Sequence, residues 1–151
     1  MEVRKKVVLI DPWGIANTSE YLNGLIYGLS PLVDLTVFTN YYFQLEISSR
    51  ADIKRIFFKN TEKMKQGTFR KCFRGIEYIW GYRRIINYLK RQESVDIIHI
   101  NWLLSYKLDI HFLKELKKYT NKLVYTAHNV IPHINGENSI LVLKQIYSMC
   151  D

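Results

Sequence analysis

Five short runs rich in β-branched and aromatic residues recur along the chain: Lys6 to Ile10, Asp34 to Phe38, Lys54 to Phe58, Val95 to Ile100 and Lys122 to Ala127. Most are apolar without clean alternation, the pattern of strands buried on both faces of a parallel sheet. Between the first two runs, Leu22, Leu25, Ile26 and Leu29 fall at helical spacing. Asn17 and Glu20 stand where an N-cap and its N3 partner would, and Pro31 supplies a stop. A second helical stripe is Leu108, Phe112, Leu116 and Tyr119, with Asp109 near its start and Lys117 and Lys118 at its end, where they complement the helix dipole. Ile140, Leu143, Ile146, Tyr147 and Cys150 predict a last helix within 137–151. Strand and helix alternate, which predicts a doubly wound, Rossmann-like α/β domain over 1–151: a parallel sheet with helices on both faces and right-handed crossovers.

The segment from Phe69 to Leu89 is less regular. Phe69, Phe73, Ile76 and Trp80 are spaced four, three and four apart, but after Gly81 the apolar positions move to Tyr82, Ile85, Ile86 and Leu89. The expectation is a helix with a kink or phase change near Gly81. Asn60 to Gln66, followed by Gly67, predicts a loop before it. No internal repeat or low-complexity tract is present.

Composition narrows the function classes. At 151 residues and 48% hydrophobic content the chain suits one domain with a real core. Its apolar runs fall well short of the ~20 residues that cross a bilayer, and the charged start leads straight into a strand instead of a signal-peptide pattern, so a cytoplasmic location is expected. Cys72 and Cys150 lack metal-type spacing and read as two reduced thiols. The net charge of +8 is concentrated: between Lys54 and Arg91 twelve Lys or Arg face only Glu62 and Glu77. Such asymmetry predicts a polyanionic partner. Aromatic rings among arginines match a membrane-surface helix, so Arg70, Lys71, Phe73, Arg74, Trp80, Arg83 and Arg84 are the expected contacts to anionic lipid. Nucleic acid, or a solvated face without partner, are the weaker alternatives.

In a parallel sheet every carboxyl end lies on one edge, so distant positions meet there. That edge would gather Asp11, Pro12, Trp13 and Gly14; Thr39 to Tyr42; Asn101 and Trp102; and Thr126 to His133. Hydrogen-bonding side chains interleaved with rings suit a sugar, whose hydroxyls need fixed partners and whose C–H faces stack on aromatics. His128 and His133 are five apart with Pro132 between them, so they do not form the one-face helical pair of a zinc protease, and no metal site is expected. The chain has no G-x-S-x-G elbow, P-loop or G-x-G-x-x-G fingerprint, which argues against hydrolase, NTPase and nicotinamide-enzyme readings. His99, inside a strand, and His111, on a helix flank, read as structural.

Tyr125-Thr126-Ala127-His128-Asn129-Val130 with Pro132-His133, together with Asp96-Ile97-Ile98-His99-Ile100, resembles the amino-terminal, acceptor-binding domain of a GT-B retaining glycosyltransferase of the family 4 type. The resemblance implies one half of a two-domain enzyme that moves a sugar from a nucleotide-sugar donor to a glycan or lipid-linked acceptor, as in surface polysaccharide or glycolipid synthesis. It implies a catalytic role for His128 near the transferring sugar, and acceptor contacts from Asn101, Trp102, Asn129 and His133. It further implies a donor-phosphate contact at Trp13 and Gly14, where many members carry a glycine pair. The family's nucleotide pocket and paired glutamates belong to its carboxyl-terminal, donor-binding domain, which has no counterpart in these residues. The chain is therefore expected to be a fragment, inactive alone, with no cofactor of its own, part of a metal-independent enzyme peripheral to the inner membrane face. Two readings from other classes stay open: a non-enzymatic, basic nucleic-acid-binding module, and a single-domain protein that binds a small anionic ligand at the sheet edge.

Overall fold

Strands β1 (Lys6–Asp11), β2 (Asp34–Asn40), β3 (Asp52–Phe57), β4 (Val95–Ile100) and β5 (Thr120–Tyr125) pair in parallel throughout, in the order β3-β2-β1-β4-β5. The computed structural model that defines them describes residues 4–46, 48–128 and 136–151. Helices α1 (Asn17–Leu29), α2 (Thr68–Leu89), α3 (Tyr106–Leu116) and α4 (Gly136–Met149) cover the sheet, giving a Rossmann-like α/β fold. Successive residues of β1 serve opposite faces: Val7 and Leu9 pack with Leu22 and Ile26 of α1, while Val8 and Ile10 join the larger core with α2, α3 and α4. This two-sided burial explains the continuous apolar runs. From β1 the chain moves outward to β2 and β3, then returns to β4 on the other side. The β1–β4 junction is therefore the point where strand order reverses, and the crevice above it is where such sheets bind ligands. Among the described residues between β2 and β3 there is no crossover helix, and Phe43 from this connection fills the α1-side core. Among the described residues no helix is long and apolar enough to cross a membrane.

Three local expectations are revised. Asn17 is already the first residue of α1, so its side chain does not cap it; Ala16 precedes it at φ 51°, and no side-chain cap bond forms. Helix α2 is continuous from Thr68 to Leu89 through Gly81, and the change of phase there is a change of face. At ~100° per residue the two apolar sets lie on opposite faces of one helix. Tyr78, Tyr82, Ile85 and Leu89 are buried, whereas Phe69, Phe73, Ile76 and Trp80 are 41–65% exposed. Gly81 marks close approach instead: a Cβ there would lie 2.2 Å from Cε1 of Phe57. In α3 the buried face is Ile110, Leu113 and Leu116; Leu108 is exposed, and Phe112 stacks on Tyr82 at the edge of the core.

Candidate functional site

The β1–β4 junction organises the site. Asp11, the last residue of β1, is fully buried. Its Oδ1 accepts the backbone N–H groups of Trp13 (3.0 Å) and Gly14 (2.9 Å), folding the following loop back as an Asx turn. Gly14 sits at φ +36°, where a Cβ would come within 2.2 Å of Thr39 Oγ1, so both backbone and space require glycine. The Asp11 Oδ2 accepts the Asn101 side-chain amide at 2.6 Å. Asn101 is itself fully buried and held by its backbone N–H to the Ile10 carbonyl. Its remaining side-chain oxygen lies 3.1 Å from Nε2 of His128. Because a carboxylate can only accept, Asn101 must turn its NH₂ to Asp11 and its oxygen to His128. Nε2 is then the donor, and Nδ1 has no hydrogen-bond partner among the described residues.

Rings enclose this row of hydrogen bonds. Trp102 stacks on the His128 imidazole with centroids 4.1 Å apart and planes 9° apart, and Tyr21 meets it edge-on at 5.1 Å. Trp102 Nε1 and Thr39 Oγ1 are buried without a hydrogen-bond partner among the described residues. Burial raises the Asp11 carboxyl above its ordinary value, and the bonds from Asn101, Gly14 and Trp13 and the nearby His128 partly offset this. Burial and then His128 hold His99 below its ordinary value, and its Nε2 lies 2.7 Å from Thr126 Oγ1.

Of the residues expected at the edge, Asn101, Trp102 and His128 come together; Asn129 and His133 lie outside the described residues. Trp13 and Gly14 are at the edge, but their amides already bind Asp11 and offer a phosphate no free N–H. The sequence places Asp11 and Thr39 at the edge without assigning either a role, and nothing in it points to Tyr21. The Asp-Pro-Trp-Gly run is the local signal for Asp11 and the end of β2 that for Thr39, whereas Tyr21 reaches the site through packing alone. The basic residues divide. Phe73 and Trp80 share the outward face of α2, with Arg83 and Arg84 flanking it on either side and without a carboxylate partner among the described residues. Arg70 and Arg74 turn inward to Glu62, and Lys71 lies on the cleft side of the helix. Among the described residues no group of three His, Cys, Asp or Glu could hold a metal ion.

A second buried acid lies beside the edge. Asp109 accepts the Ser105 N–H at 2.8 Å and lies 2.5 Å from the Tyr78 hydroxyl; burial pushes its carboxyl up to about 7. The fold favours the neutral acid, so the stability it contributes is complete below an unfolded-state value near 3.8 and is lost as pH rises towards about 7. Asp11 adds the same sign, while His99, disfavoured when charged, acts oppositely on the acid side. Asp109→Asn isolates the effect: relative to the parent it is expected to gain about 2–4 kcal/mol between pH 4 and pH 8, read from urea midpoints. A pH-independent difference would show that Asp109 is ionised throughout.

Comparison of the chain with protein-family models, with curated proteins and with solved structures found no match.

Proposed function

We propose that this domain holds a glycan or lipid-linked acceptor at the carboxyl edge of its sheet for glycosyl transfer from a nucleotide-sugar donor. The observation that carries the reading is the row Asp11–Asn101–His128, fully buried at Asp11 and Asn101 and partly exposed at His128 among aromatic rings. Asn101 fixes the orientation of the imidazole. Neutral Nδ1 accepts a hydrogen bond from a sugar hydroxyl, and protonated Nδ1 donates to charge developing on a leaving phosphate. The exposed indole of Trp13 offers a stacking face to a sugar ring. The nucleotide of the donor falls to the second domain that the family resemblance implies, since the Trp13 and Gly14 amides are engaged. The exposed Phe69, Phe73, Ile76 and Trp80 stripe between Arg83 and Arg84 supports a peripheral position on anionic membrane, with rings at headgroup depth.

Titration of the ¹⁵N-labelled chain tests the acceptor reading. Oligosaccharides are expected to shift His128, the Asn101 side chain and the Trp102 indole, while UDP-, GDP- and ADP-sugars bind weakly. His128→Ala should weaken glycan binding about tenfold or more and cost about 1–3 kcal/mol of stability, because the buried Asn101 oxygen loses its partner. Micromolar binding of a nucleotide-sugar, or glycan binding untouched in His128→Ala, would refute it.

A further inference from the structure

Next to the sheet edge, under the inner side of α2, lies an open cleft of about 430 Å³. That volume is within the range of small-ligand pockets. Its walls are mainly apolar: Trp13 from the loop after β1, Phe58 after β3, and Leu104 and Leu108 at the start of α3. Set into them are two cations from α2, Lys71 and Arg74, and no carboxylate lines the cleft among the described residues. Arg74 is held upright between two rings, its guanidinium carbon 3.8 Å from the Phe58 centroid and 5.1 Å from that of Trp13. Phe58 adopts φ 59° to present its ring there, a conformation that is costly for any residue with a side chain.

The charge balance leaves this cleft positive. Glu62 is shared between Arg70 and Arg74, so one guanidinium charge is uncompensated, and Lys71 has no carboxylate within salt-bridge distance among the described residues. Arg74 Nη1 lies 2.8 Å from Glu62 Oε1, so the ion pair fixes one end of the guanidinium while its face packs on the Phe58 ring. With Lys71 and Arg74 in the lining and no carboxylate beside them among the described residues, the net positive charge favours a ligand that brings an anionic oxygen. The remainder of the lining favours one that brings an apolar stem.

We propose that the cleft between Trp13, Phe58, Leu108 and the Lys71–Arg74 turn of α2 binds a lipid phosphate, the phosphate on the two cations and the apolar stem along the rings. A flat sugar without charge would leave the two cations unanswered, and a free phosphate would leave the apolar wall uncovered. In the acceptor reading, on which only this assignment of role rests, the phosphate-bearing lipid is the carrier of the acceptor, and its sugar end reaches Trp13 and the His128 edge.

Octyl phosphate, below its micellar concentration, is the probe, with octyl glucoside and inorganic phosphate as controls. In ¹H–¹⁵N spectra octyl phosphate is expected to shift the Trp13 indole and the Gly75 and Ser105 amides saturably, and both controls to bind about tenfold more weakly or worse. Gly75 lines the cleft and a Cβ there meets nothing within 4 Å. Gly75→Leu therefore fills the cleft while improving helix propensity; its melting temperature should hold or rise, and octyl phosphate binding should fall about tenfold or more. Lys71→Glu, at an exposed position, should also weaken binding. Undiminished binding in Gly75→Leu, equal binding of octyl glucoside, or shifts confined to Phe69, Phe73 and Trp80 would each overturn the proposal. Failure here with glycan shifts intact at His128 removes the cleft assignment alone. Octyl phosphate binding without glycan shifts keeps the cleft and removes the acceptor reading.

Discussion

Asp11→Asn is expected to move the proton of neutral His128 from Nε2 to Nδ1. The Trp13 and Gly14 amides both point at one carboxylate oxygen, so the new side chain must keep its oxygen there and turn its NH₂ towards Asn101. Two NH₂ groups cannot face each other, and Asn101 must flip, presenting NH₂ instead of oxygen to His128. His128 Nε2 then has to accept, and the ring proton shifts to the other nitrogen. Imidazole ¹⁵N shifts report this directly. If, as proposed, Nδ1 accepts a sugar hydroxyl, its protonation removes that acceptor and glycan affinity should drop to that of His128→Ala. Asp11→Ala removes the acceptor from three donors at once and is expected to cost about 3–5 kcal/mol, less whatever is recovered by relieving carboxylate burial. Retention of the Nε2–H tautomer in Asp11→Asn would show that the three side chains are neighbours without coupling.

Charge reversal on α2 should abolish binding to anionic vesicles. Arg83 and Arg84 flank the exposed stripe on either side, and the acids nearest to α2 are already engaged: Glu77 with Asn60 and Thr61, Glu62 with Arg70 and Arg74. Each basic residue at an anionic surface contributes about 1 kcal/mol, so Arg83→Glu with Arg84→Glu should change the partition by about 4 kcal/mol, near a thousandfold at low salt. Trp80→Ala with Phe73→Ala tests the apolar part; it should weaken binding to anionic vesicles without altering its salt dependence, because screening acts on the charges alone. Both ring substitutions are on the face turned away from the core, so neither should lower the melting temperature appreciably. Equal sedimentation with neutral and anionic vesicles, or with neither, would sink electrostatic docking. Preferential retention on RNA or DNA would favour the nucleic-acid module instead.

The elements that could be read without coordinates are those whose cause is local. Val7 to Ile10 is continuously apolar because each face of its strand is covered, and Leu22 with Ile26 repeats at helical spacing because one stripe of α1 is buried. Placement of Asn101 and His128 at one edge follows from the parallel sheet alone, since both come just after strands. Helix α2 shows where local reading stops. Its two apolar stripes look like a phase change at Gly81, and only the position of Phe57 reveals that one stripe is buried and the other exposed. The same holds for its arginines: Arg74 and Arg84 are chemically identical on one helix, yet Glu62 and the rings of Trp13 and Phe58 draw the first inward. Asp11 acquires its role because β1 and β4, 90 residues apart at Asp11 and Asn101, become neighbours in the sheet. Strand order is a non-local choice, made by the packing of the whole core, and the hydrogen bonds that orient His128 depend on it.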